Sequence, residues 1–179
     1  MKHYIETKRL ILRNWKDEDV ALFQSMNASP EVRRYFPDIL SYRATENMID
    51  QMKSVIDQQE IGLFAVELKE TKSFIGMVGL NYIPEGSELS FPELPFYKIG
   101  WRMDKDVWGN GLATEAAEAV LTYAKSKGID EVYSFTSEIN KPSRRVMEKL
   151  EMNHIRNFLH PKVIHDDDLA AHVLYHKVL

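Results

Sequence analysis

Two glycines one residue apart, Gly109 and Gly111, stand directly before a helical pattern that opens Leu112-Ala113-Thr114-Glu115-Ala116. Glycine accepts positive φ and lets backbone N–H groups approach a ligand with no Cβ in the way. The unbonded amides of a helix's first turn, at the positive end of its dipole, make such a place suited to phosphate. The plain alternative is a tight connection whose glycines serve turning alone. A P-loop would need a Gly-Lys-Ser/Thr ending, which is missing. A dinucleotide fingerprint would need a third Gly or Ala where Thr114 stands, although Glu138 could imitate its ribose-binding acid, so that reading stays open.

Other residues invite proton chemistry. Asn140 and Ser143 open a second helical pattern, a position that Ser favours for capping alone. Glu93 lies in an acidic, proline-bearing loop over residues 84–95. Loops of about a dozen residues without structure of their own tend to be functional. Glu93, His160 and His172 are candidates for a general base. His172 and His176 do not suggest a metal site, because four residues of strand separate them by roughly 13 Å. Cysteine is absent, which removes thiol nucleophiles, disulfides and the usual soft zinc ligands.

These residues need elements to position them. Residues 9–14 read as a strand, and Val20, Leu22, Phe23 and Met26 follow at helical spacing up to a stop at Pro30. After Pro37 a second helix is expected over residues 41–59, with Ala44, Met48, Ile49, Met52, Val55 and Ile56 as its apolar set. Residues 63–68 and 74–83 read as a hairpin, the second strand interrupted by Gly76 and Gly79. Strands are expected over 97–103, 132–136, 153–159 and 171–178, and helices over 112–127 and 142–150, with Gly128 as a C-cap. The order is β-α-α-β-β-β-α-β-α-β-β, an α/β mixture in one domain over residues 1–179.

The chain has 179 residues, 44% of them apolar, and a net charge of −4 from 23 basic and 27 acidic side chains. Basic residues are scattered, which argues against nucleic acid. The small cluster of Lys141, Arg144, Arg145 and Lys149 suits at most one small phosphorylated ligand. No apolar run approaches the roughly 18–20 residues of a membrane span, and the N-terminus lacks a secretory pattern, so a cytoplasmic location is the expectation.

The run Ile99-Gly100-Trp101-Arg102, followed by Trp108-Gly109-Asn110-Gly111-Leu112-Ala113-Thr114-Glu115-Ala116, resembles the acetyl-CoA motif of the GNAT acetyltransferases. It is most similar to the branch named for the ribosomal-protein alanine and serine acetyltransferases. Asn140-Lys141-Pro142-Ser143, Phe74-Ile75-Gly76-Met77-Val78-Gly79-Leu80, His160-Pro161 and His172-Val173-Leu174-Tyr175 resemble further parts of that branch, in order along nearly the whole chain. The resemblance implies the acyl-CoA N-acyltransferase fold: a mixed, mostly antiparallel sheet, splayed at the cofactor site and flanked by helices. It implies that acetyl-CoA lies in the gap between strands 97–103 and 132–136, with pantetheine paired to main-chain groups of Trp101 and Met103. The diphosphate would sit on the amides of Trp108, Gly109, Asn110, Gly111, Leu112, Ala113 and Thr114. Asn140 would hold the pantetheine arm, and Ser143 would protonate the leaving thiolate.

The implied activity is acetyl transfer to a primary amine, a protein N-terminus or a small molecule, without an acyl-enzyme or a metal, and a homodimer by analogy. A non-catalytic acetyl-CoA sensor and a dinucleotide-binding oxidoreductase are the alternatives. The sequence departs from the family at three places: Trp108 replaces the usual Arg or Gln, Lys98 replaces a frequent Glu, and Glu151 replaces the Gly expected after Leu150. The acidic loops containing Glu85, Glu88 and Glu93, and Asp166 to Asp168, could attract a cationic amine, although solvated surface charge accounts for most of them.

Overall fold

The computed structural model describes residues 1–36, 40–163 and 168–179; Pro37, Asp166 and Asp167 lie outside them. Strands β1 (His3–Glu6) and β2 (Leu10–Arg13) precede helices α1 (Asp19–Asn27) and α2 (Tyr42–Gln59). Strands β3 (Leu63–Leu68), β4 (Ser73–Ile83) and β5 (Phe96–Met103) form a meander. Helix α3 (Leu112–Ser126), β6 (Glu131–Ser137), α4 (Lys141–Lys149), β7 (Asn153–Leu159) and β8 (Ala171–Val178) complete the order. The eight strands make one sheet in the order β1-β2-β3-β4-β5-β6-β8-β7, antiparallel throughout except for β5 beside β6. The expected mixed, mostly antiparallel sheet is therefore observed. No helix among the described residues is long and apolar enough to cross a membrane.

Strand β1 is the element that periodicity passes over. It is a four-residue edge strand in which only Ile5 is buried, too little for an alternating signal. The apolar set of α2 also needs correction. Ile49, Met52 and Ile56 are buried, but Val55 is exposed, as is Leu22 of α1. Apolar residues on a protein surface are common when single.

Three local features hold the frame under the site. Gly79 permits β4 to press on the chain before β3, since a Cβ there would lie 2.0 Å from the Gly62 carbonyl oxygen. Arg13 donates to both carboxylate oxygens of Asp19, at 2.7 and 3.0 Å, and to Glu67 at 2.8 Å. This buried cluster ties α1 to the sheet. Burial alone would raise the Glu67 carboxyl, but the Arg13 contacts leave it lowered. Finally, Glu151 adopts φ 60°, the left-handed conformation expected of the missing glycine. The turn into β7 thus survives, with Met152 N–H donating to the Met147 carbonyl at 3.0 Å, at a cost of about 1 kcal/mol.

Candidate functional site

Strand β5 pairs with β4 along its whole length, from Phe96 opposite Ile83 to Met103 opposite Gly76. Its other edge behaves differently. It meets β6 at one register pair, Lys98 opposite Tyr133, and the two strands then part. The buried Ser134 hydroxyl donates to the Ile99 carbonyl at 2.9 Å, closing the ladder where it ends. Beyond it, one edge of β5 from Gly100 to Met103 has no strand partner, and buried backbone polar groups require one.

This freed strand leads through a short 3-10 turn (Lys105–Val107) to the Gly109–Asn110–Gly111 connection. Gly109 and Gly111 take φ of 79° and 73°, the region that favours glycine. Helix α3 makes its first i→i−4 bond from Glu115 N–H to the Gly111 carbonyl, so the amides just before Glu115 lack intrahelical acceptors. The turn is exposed, and a Cβ at Gly109 would meet nothing within 4 Å. It is an open, donor-rich helix start suited to an anion.

Side chains hold this turn from behind. The Trp108 indole N–H donates to the Met103 carbonyl at 3.0 Å, and the Trp108 backbone N–H donates to Lys105 at 3.2 Å. Trp108 is therefore a brace, and its amide is engaged within the protein, unlike those of the glycines. Arg9 donates to the Asn110 carbonyl at 3.0 Å and to Glu115 at 2.6 Å, while the Thr7 hydroxyl donates to Glu115 at 2.7 Å. The three-way link of Thr7, Arg9 and Glu115 has no local sequence signal, because its partners are more than 100 residues apart.

Across the gap stands α4. Asn140 caps it, its side-chain oxygen accepting from Ser143 N–H at 3.2 Å and its amide donating to the Thr136 hydroxyl at 2.9 Å. Asn140 is buried, and both ends of its side chain are occupied. These bonds orient α4 and use one of the two amide N–H groups, leaving the second to donate. The Ser143 hydroxyl oxygen accepts from the Trp101 indole N–H at 3.3 Å, which leaves its own proton to donate elsewhere. Trp101, Ser143 and the freed β5 edge are thus brought together.

The opposite face of β5 carries Phe96, Lys98, Gly100 and Arg102, since alternate residues of a strand share a face. The Lys98 ammonium lies 3.8 Å from the Phe135 ring centre. Burial, with Arg102 adding repulsion, pushes its pKa down to about 8. Arg102 donates to the Asn27 side chain at 2.9 Å, and its Nε is buried with no hydrogen-bond partner. Burial, then the charge of Arg33, lowers Arg102 to about 10. His160 and His172 lie with tilted rings whose centres are 4.9 Å apart, beside Phe158. Burial lowers both, His172 to about 4.

Glu93 is brought to the same aromatic region but is not free there. Arg156 grips both its carboxylate oxygens and lowers its pKa. Each candidate base is thus weaker than its free side chain. A cavity of about 390 Å³ lies nearby in the chain, between Arg34 and Tyr35 of the α1–α2 connection and Ile139, Asp168 and Leu169 on the other side.

Comparison with known proteins agrees with this geometry. Residues 9–153 match the family model described as acetyltransferase (GNAT) domain. An uncharacterized N-acetyltransferase of Bacillus subtilis, YoaA, is 25% identical over 149 residues, covering 82% of this chain and 80% of that protein. The crystal structure of a GNAT family acetyltransferase from Bacillus anthracis superposes with a TM-score of 0.80 at 24% identity, covering 97% of each chain. The ribosomal L7/L12 alpha-N-protein acetyltransferase RimL, solved in complex with coenzyme A, superposes with a TM-score of 0.79 at 13% identity, covering 99% of this chain and 98% of that one.

Proposed function

The chain belongs to the acetyltransferase (GNAT) domain family, and from that premise we propose that it moves the acetyl group of acetyl-CoA to a primary amine by direct attack within a ternary complex. The observation that carries this reading is the parting of β5 from β6 after one register pair, on the strand that runs into the Gly109–Gly111 helix start. A long, thin ligand with a diphosphate in its middle suits a cleft whose wall is free backbone and whose end is a cluster of amides.

The residues present fit acetyl-CoA, which when bound supplies an acyl group activated as a thioester. Main-chain groups at Trp101 and Met103 would hold the pantetheine arm, though the Met103 carbonyl is already shared with Trp108. The amides of Gly109, Asn110, Gly111, Leu112, Ala113 and Thr114 would receive the diphosphate, with Trp108 bracing the turn. Asn140 fixes the start of α4, and Ser143 would pass its hydroxyl proton to the departing sulfur and recover one, directly or through water, from the nitrogen that becomes the amide. A backbone N–H near Trp101 or Met103 would stabilise developing negative charge on the carbonyl oxygen, a contribution of about 3–4 kcal/mol in comparable sites.

Orientation supplies more, roughly 7–11 kcal/mol for well-aligned reactants. It matters here because Glu93, His160 and His172 are all weakened as bases. Catalysis by alignment of an amine that arrives neutral is the consistent account.

Thermal shift with acetyl-CoA and with NAD tests the cofactor, and thiol release across an amine library tests the reaction. Stabilisation by acetyl-CoA and thiol release with at least one amine are expected. Stabilisation by NAD alone would turn the reading toward a dinucleotide enzyme. Tight acetyl-CoA binding with no thiol release would leave a sensor domain.

A further inference from the structure

The face of β5 that carries Lys98, Gly100 and Arg102 is positively charged and open between the charges. A Cβ on Gly100 would meet nothing within 4 Å. The two cations are close enough to repel, and each is partly stripped of water. Arg33 adds charge beside Arg102, and the repulsion of Lys98 reaches both His160 and His172.

Among the described residues, two acids near this face are engaged elsewhere. Glu93 is held by Arg156, and Glu88, the acid whose field reaches His160, pairs with Lys162 at 3.0 Å. Among the described residues no carboxylate forms a salt bridge with Lys98 or Arg102. Aromatic rings flank the face: Phe135 under Lys98, and Phe36 with its ring centre 4.9 Å from the Arg102 guanidinium. Proteins rarely keep desolvated like charges together without a counter-charge, and functional sites are where they do.

We propose that the acceptor is a small amine carrying an anionic group, a carboxylate or phosphate, that lies over Gly100 between Lys98 and Arg102. This rests on the acetyltransfer reading above and narrows its substrate. It also reverses the expectation of a cationic acceptor drawn by acidic loops. The anion supplies a counter-charge that no described carboxylate gives Lys98 or Arg102, and the guanidinium Nε gains the acceptor it lacks among the described residues. The surrounding positive field also favours the neutral, attacking form of the substrate's amine. Polyamines and aminoglycosides meet repulsion on the same face.

The test pairs substrates with variants. Thiol release is measured for an ω-amino carboxylate against its carboxamide, for an aminoalkyl phosphate against the aminoalkyl alcohol, for a short peptide with an acidic second residue against its neutral twin, and for a polyamine. Each is run with the unsubstituted protein, Lys98→Gln and Lys98→Glu. Differences in amine basicity cancel when the ratio within a pair is compared between variants.

The anionic small molecule is expected to be preferred by about tenfold or more, with the preference reduced in Lys98→Gln and reversed in Lys98→Glu. The carboxylate and phosphate arms identify which anion is read. An anionic-to-neutral ratio unchanged by Lys98→Glu, a preferred polyamine, a preference confined to the peptide, or silence from every anionic amine while acetyl-CoA binds would each overturn the proposal. Thermal shift with acetyl-CoA on the same proteins separates the two readings. Its absence in the unsubstituted protein overturns acetyl transfer itself, whereas its retention in both variants, with folding intact, assigns any lost preference to the acceptor face.

Discussion

The two faces of β5 are built from different materials. Toward α3 and α4 the site consists of backbone: a freed strand edge, two left-handed glycines and the first turn of a helix. On the other face it consists of side-chain charge: Lys98, Arg102, His160 and His172, with Gly100 as the gap between them. Backbone amides persist through most substitutions, so the family's Arg or Gln can become Trp108 and still leave a donor-rich turn. Charge on side chains changes sign with one residue, as Lys98 in place of a frequent Glu illustrates. Under the proposed function, the half that would meet acetyl-CoA is robust, and the half that would meet the acceptor is easily retuned.

Four measurements bear on that contrast. Ser143→Ala sits at the seam between the halves and is expected to lower kcat by about a hundredfold, with the KM for acetyl-CoA little changed. An unchanged kcat would reduce Ser143 to a residue of the α4 start. Gly111→Val forces a β-branched residue to φ 73°. At about 2 kcal/mol it should weaken acetyl-CoA about thirtyfold in calorimetry, while leaving the anionic-to-neutral substrate ratio alone. A change in that ratio would break the separation of the two faces.

The third measurement is a pH profile. Lys98 has its pKa lowered to about 8, so its charge is present below that value and lost as pH rises through it. The protonated fraction falls from about nine-tenths at pH 7 to about one-tenth at pH 9. The anionic-to-neutral kcat/KM ratio should fall by up to about ninefold, and this component should vanish in Lys98→Gln. The smallest effect is expected from Trp108→Phe, which loses the 3.0 Å bond to the Met103 carbonyl. At about 1 kcal/mol it should weaken acetyl-CoA about fivefold without altering substrate choice.

Much of this architecture was legible along the chain because its signals are local. The apolar runs of β3 and β4 and the Gly-x-Gly helix start each lie within a few residues. The element order follows from them, apart from β1, whose four residues bury a single side chain. Glu151 shows a limit of another kind. A missing glycine did not remove the turn, since a non-glycine residue occupies the same left-handed conformation.

The family resemblance carried by the sequence also grouped Trp101, Asn140 and Ser143, but only the tertiary structure shows which groups they touch. Asn140 caps α4 and donates to Thr136, and Trp101 reaches Ser143 across the gap. Glu93 read as a candidate base until Arg156, 63 residues away, was seen to hold it. Lys98 read as the loss of an acid until Gly100, Arg102 and the aromatic ring of Phe135 surrounded it. Local spacing dictates backbone geometry, and backbone geometry makes the anion-binding helix start. A side chain's charge, basicity and availability depend on neighbours brought from distant parts of the chain, and those exist only once the sheet is assembled.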